Sequence, residues 1–223
     1  MKKRKLNYQL LIFLTLLLAS AVSTTMVALR VAYSGEIRFI FLVWNLFLAW
    51  LPLFFAWMAQ RWPVTAVIYG PLWLLFFPNA PYLVTDLVHL GRISSVPLWY
   101  DALVVFAFAL TGLLLGILSL YLMQALVARR FGSWLSWLFV FVTTGLSGYG
   151  VYVGRFLRWN SWDIFTQPRT LAHEMFNSLT NPSLFPKTYA VSISLTVMML
   201  FAYIIMYALP RLEWASGQVA SGE

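Results

Sequence analysis

The chain has 223 residues, of which 61% are hydrophobic and 10% charged, with a net charge of +8 and no cysteine. An ordinary soluble domain carries roughly 25% charged residues, so this composition excludes a soluble fold, and the lack of cysteine excludes disulfides and thiolate metal sites. The basic residues lie between apolar runs instead of lining one face, which speaks for membrane topology and anionic headgroups and against nucleic acid.

Six stretches lack Asp, Glu, Lys and Arg: Leu6–Leu29, Phe39–Gln60, Trp62–Thr85, Ala102–Ala128, Phe131–Gly154 and Thr188–Pro210. A helix rises about 1.5 Å per residue, so roughly 20 residues cross a bilayer core. The expected fold is an all-α transmembrane bundle forming one domain, with spans at about 9–29, 38–59, 63–77, 102–127, 133–154 and 188–209. The first run follows Met-Lys-Lys-Arg-Lys and resembles a signal peptide, but its apolar character continues through Leu29, so it is read as an uncleaved helix. Lys2, Lys3, Arg4 and Lys5 place both termini in the cytoplasm. The longer loops, about 78–101 and 155–187, then lie outside, where function is usually carried.

The third span is short. From Trp62 to Phe77 it covers only about 24 Å, and Pro78 disfavours helical geometry at Phe77. Asn79 suits a helix N-cap, Pro81 a first turn and Gly91 a stop. The reading is a helix that ends and an interfacial one, about 80–90, that starts at once. At helical spacing Tyr82, Thr85, Asp86, His89 and Arg92 gather apart from Leu83, Val84, Leu87, Val88 and Leu90. This predicts an amphipathic segment at the membrane surface.

In the fourth and fifth spans, Gly112 and Gly116, and Gly150 and Gly154, are four apart, the spacing of close helix packing. Asp101 opens the fourth span. After the fifth, Arg155 and Arg158 share a face if the helix runs through both, and Trp159, Asn160, Trp162 and Asp163 follow. A second amphipathic segment, about 168–180, carries His173 and Glu174 on its polar side.

The stretches FFPNAPYLVTDLVHL, LWYDAL and GYGVYVGRFLRWNSWD resemble the hallmark motifs of an uncharacterised bacterial membrane family, domain of unknown function 1361. The resemblance runs from the second span through the sixth. It implies a multi-pass protein of the bacterial plasma membrane and brings no activity, substrate or catalytic residue with it.

All these polar residues fall on one predicted side, and three readings fit. The charges pair to tie outer loops to the bundle, Asp86 or Asp101 with Arg155 or Arg158. Or Arg155, Arg158, Asn160 and Asp163, with Trp159 and Trp162, bind or move an anionic small molecule or lipid headgroup. Or the site is an interfacial enzyme acting on a lipid-linked substrate, with Asp86, His89 and Asp101 as catalytic candidates and Asp86 and His89 as metal ligands. No cofactor is assigned, and the bilayer is the expected partner.

Overall fold

The computed structural model describes residues 2–91 and 95–220, with side chains described for 8–91 and 95–210. Arg92 and the side chains of Lys2–Lys5 and Arg211 lie outside the described residues.

The helices are α1 (Lys2–Ser34), α2 (Phe41–Arg61), α3 (Ala66–Phe76), α4 (Asn79–Tyr82), α5 (Leu98–Phe131), α6 (Ser133–Arg155), α7 (Asp163–Thr166), α8 (Pro168–Thr180) and α9 (Pro186–Ala220). A 3-10 turn at Pro63–Thr65 leads into α3, and a 3-10 segment at Leu83–His89 continues α4. Six helical stretches are long and apolar enough to cross a membrane, with α3, α4 and their 3-10 flanks together forming the third. Strands are absent among the described residues.

α5 is the hub. Of its most apolar window 61% is buried inside the bundle, against 17% for α1 and for α9. It packs on α1, α2, α4 and α6, while α9 leans mainly on α6. One core cluster joins Leu42, Leu46 and Leu53 of α2 to Val104, Phe108 and Leu115 of α5. Another gathers Trp73, Phe77, Leu120, Val140, Met199 and Tyr203. Outward-facing Leu, Phe, Ile and Trp side chains cover the outer surface, as lipid contact demands and water would not tolerate.

The third span departs from the expected stop and restart. Phe77 and Pro78 both keep right-handed helical dihedrals, at φ −55°, ψ −38° and φ −59°, ψ −24°. Winding therefore continues, with Tyr82 N–H donating to Pro78 O at 3.0 Å. Asn79 makes no N-cap bond. Its amide Nδ2 instead donates to Phe76 O at 2.9 Å, while the Ala80 N–H that would serve that carbonyl in an α-helix reaches Phe77 O. The helix tightens to 3-10 over Leu83–His89 and stops where Leu90 turns extended and Gly91 takes φ +80°.

The face assignment also changes. Asp86 is fully buried, whereas Leu87 and Val88 are exposed. Asp86 points into the bundle on the same edge as the buried Leu83, while Leu87 and Val88 point out, so the inward face is not the apolar one alone. Intramembrane polar groups face the bundle interior because hydrocarbon gives them no partner.

Glycine makes room for this turn. A Cβ at Gly112 would stand 2.5 Å from Leu83 Cδ1 and 2.7 Å from Ala80 O, and one at Gly150 would stand 2.6 Å from Pro78 Cγ. Gly116 and Gly154 face Ala80 and Tyr82 in the same way. The Pro78–Leu83 turn is thus clamped between the bare faces of α5 and α6. Gly112→Ala should lower stability in detergent by about 1–3 kcal/mol, measured as a fall in thermal midpoint. Gly145→Ala, where a Cβ meets nothing within 4 Å, should be neutral or slightly stabilising.

Candidate functional site

Burying Asp86 strips a carboxylate of water, and two neighbouring helices compensate. Arg155, at the end of α6, binds Asp86 Oδ1 through Nη2. Its Nε donates to Thr85 Oγ1 at 2.9 Å, and Nη1 lies 3.1 Å from His89 Nε2. Its Cζ sits 4.2 Å above the Tyr82 ring. Asn45 of α2 donates from Nδ2 to the other carboxylate oxygen at 3.2 Å. A guanidinium can only donate, so His89 Nε2 is the acceptor, which makes the ring the neutral Nδ1–H tautomer. The network fastens α2, the third span and α6 together.

A second buried pair lies between α1 and α5. Arg30 forks onto Asp101, Nε to Oδ1 at 2.7 Å and Nη2 to Oδ2 at 3.4 Å. Glu36 lies 3.6 Å from Arg30 Nη2, and the Phe39 ring lies 4.8 Å from its Cζ. Asp101 therefore joins Arg30 and not Arg155 or Arg158. Tyr100 adds a bond from its hydroxyl to Met26 O at 3.0 Å.

Arg155 and Arg158 do not share a helical face. α6 ends at Arg155, Phe156 takes φ −106°, and Arg158 is exposed at φ +63°. That left-handed conformation, usually filled by glycine at a helix end, costs a β-carbon residue about 1–2 kcal/mol. The reversal brings Trp159 back, its N–H donating to Val153 O at 3.3 Å and its indole N–H to Glu174 Oε2 at 2.7 Å. Asp163 serves its own turn, accepting from the Asn160 N–H at 2.7 Å and from Thr166 Oγ1 at 3.3 Å. His173 meets Asn177 on α8 at 3.0 Å. Asp86 and His89 gather no third ligand: among the described residues no group of three or more His, Cys, Asp or Glu stands close enough to hold a metal ion.

A cleft of about 270 Å³ opens beside the network. Trp44 and Asn45 of α2, Pro78, Asn79 and Tyr82 of the proline turn, Gly150 and Gly154 of α6, Trp159–Trp162, and Leu171 and Met175 of α8 line it. Asn45 and Tyr82 belong to both cleft and network. Among the described residues no charged side chain lines the cleft.

The amides decide its chemistry. Nδ2 of Asn45 faces the Asp86 carboxylate, Nδ2 of Asn79 faces Phe76 O, and Nδ2 of Asn160 faces the Asp163 carboxylate at 3.4 Å. Each of these partners only accepts, which fixes the amide orientations. The three amide oxygens accept no hydrogen bond from any described residue. The cleft thus combines spare acceptors with the rings of Trp44, Tyr82, Trp159 and Trp162.

Sequence reasoning missed Arg30 and Asn45. The signal for Asn45 was there: in the run Phe39–Gln60 it and Gln60 are the two side chains with an amide, and nothing there is charged. A lone amide in a span marks a partner inside the bundle.

The profile of a family described as Protein of unknown function (DUF1361) matches residues 44–206. The chain belongs to that family. The matched region contains the proline turn, both sides of the Asp86–Arg155 pair and the whole cleft lining. No curated protein and no solved structure matches the chain.

Removing one member of a buried pair leaves the other charge unmatched, at a cost of about 3–5 kcal/mol. Asp86→Ala should therefore lower the thermal midpoint sharply. Asp86→Leu combined with Arg155→Met should recover much of that loss, a comparison made by thermal unfolding of the variants in one detergent.

Proposed function

We propose that this integral membrane protein binds the hydroxyl-rich headgroup of a membrane lipid in the cleft beside the proline turn. The observation that carries this reading is the set of three amide oxygens, on Asn45, Asn79 and Asn160, that accept no hydrogen bond from a described residue while each amide nitrogen donates to a protein acceptor. Such a surface takes donors. Hydroxyls of a sugar or polyol supply them, and indole and phenol rings give flat apolar faces for the C–H sides of the same ring.

An anionic headgroup suits this cleft less well than the sequence alone suggested. Arg155 is consumed by Asp86, Thr85 and His89, and among the described residues no cationic side chain lines the cleft to balance a phosphate. The two buried ion pairs support a holding role for Asp86, Arg155, Arg30 and Asp101. An acid–base role for His89 finds no support in its geometry, because its Nε2 lone pair already takes a hydrogen bond from Arg155.

We place the end bearing the termini in the cytoplasm and the cleft outside, in a bacterial plasma membrane. By sequence order, eight basic and two acidic residues fall in the terminal segments and the two short connections, against seven and five in the segments between the spans on the other side. Two of those seven, Arg30 and Arg155, are locked in ion pairs. This supports the positive-inside orientation.

Native mass spectrometry tests the reading by comparing a monoglycosyl diacylglycerol with diacylglycerol of matched chains. The glycolipid should bind at least tenfold more tightly, and Asn160→Ala and Trp162→Ala should each weaken it roughly fivefold, about 1 kcal/mol per lost contact. Equal binding of the two lipids by the wild-type protein would reject the proposal.

A further inference from the structure

The opposite end of the bundle carries a second cavity, independent of the headgroup cleft. α1 packs on α5 rather than on α2, which leaves a groove of about 790 Å³ between α1 and α2, floored by Leu118 and Leu122 of α5. Its inner end is closed where the two helices meet. The rings of Phe13 and Trp50 cross edge to face at 5.7 Å, and Trp50 Nε1 donates to Ser20 Oγ at 3.1 Å. Its mouth is polar, formed by Gln9, Gln60 and Arg61.

Length and charge identify the occupant. Trp50 to Arg61 is about 16 Å of helix, roughly half of a 30 Å hydrocarbon core, so the groove has the depth of one leaflet. Among the described residues its walls are apolar and the charged side chain in its lining, Arg61, stands at the mouth. Arg129 reaches that mouth, its Nη1 lying 3.4 Å from Gln60 Oε1. Gln60 is itself held there by a hydrogen bond from its Nε2 to Leu122 O. Arg61 and Arg129 are both exposed, and among the described residues neither pairs with a carboxylate. All five acidic residues with described side chains lie toward the other end of the spans.

We infer that the α1–α2 groove is a binding site for one anionic phospholipid of the leaflet on the terminus-bearing side. Its phosphate sits between Arg61 and Arg129, and an acyl chain runs along Trp57, Phe54 and Phe13 to Trp50. A guanidinium suits phosphate through its fork of donors, and basic residues at a membrane surface favour anionic over zwitterionic lipid.

The test uses full-length protein in detergent, titrated with phosphatidylglycerol or phosphatidylcholine of matched chains and read by native mass spectrometry. Wild type should hold one phosphatidylglycerol at least tenfold more tightly than phosphatidylcholine. Arg61→Gln with Arg129→Gln, both at exposed positions, should remove that preference and leave the weaker binding. Leu17→Trp fills the groove from a side chain that is 43% exposed, and should block both lipids. Equal wild-type affinities overturn the proposal, as does an unchanged preference in the double arginine variant. Undiminished phosphatidylglycerol binding by Leu17→Trp overturns it too, because the lipid would then sit outside the groove. Glycolipid binding at the opposite end is read separately, so failure at one site leaves the other interpretable.

Discussion

A carboxylate with no water around it must find its compensation in protein, and Asp86 finds it in Arg155 and Asn45. The fold at this end of the bundle follows from that demand. Arg155 must stand at the last turn of α6, Asn45 in the first turns of α2, and the third span must bring Asp86 between them. A straight helix ending at Phe77 could not do this. The continuing turn through Pro78 carries the chain sideways into the gap, and the tighter 3-10 winding at Leu83–His89 stacks Leu83, Asp86 and His89 on one edge.

That sideways turn is possible because neither neighbour has side chains in its way. Gly112 and Gly116 on α5, with Gly150 and Gly154 on α6, let backbone and proline rings approach to contact distance. The same closeness leaves the amide of Asn79 next to Phe76 O and Ser161 Oγ, which binds the loop after α6 to the turn. The headgroup cleft is what remains between the turn, that loop and α2. The ion pair and the cleft are therefore one construction. One sets the positions that the other uses.

Much of this was readable from residues. Charge-free runs separated the six spans, because hydrocarbon penalises charge so heavily that their boundaries are written in Lys, Arg, Asp and Glu. The prolines marked the irregular turn, and glycine spacing marked the close faces. The stripe of Asp86 and His89 was also visible, but its direction was not. Periodicity gives the angle between two faces, while which face meets lipid depends on neighbours that only the tertiary structure supplies. The separation of Arg158 from Arg155 was hidden for a related reason. It depends on a left-handed residue at the helix end, and no glycine was there to announce it. The Arg30–Asp101 pair spans 71 residues of sequence, beyond the reach of any local pattern.

That last distance bears on how the protein is made. In chain order α1 is complete before Asp101 has been synthesised, and at roughly 5–20 residues per second the partner is several seconds behind. During that interval Arg30 has no carboxylate on α5 to meet. Its place at the end of α1, near Ser34 and Glu36, allows water and the interface to hold it until α5 arrives. The first helix can thus be inserted alone and recruited later. The Arg30–Asp101 pair is then the contact that ties α1 to α5.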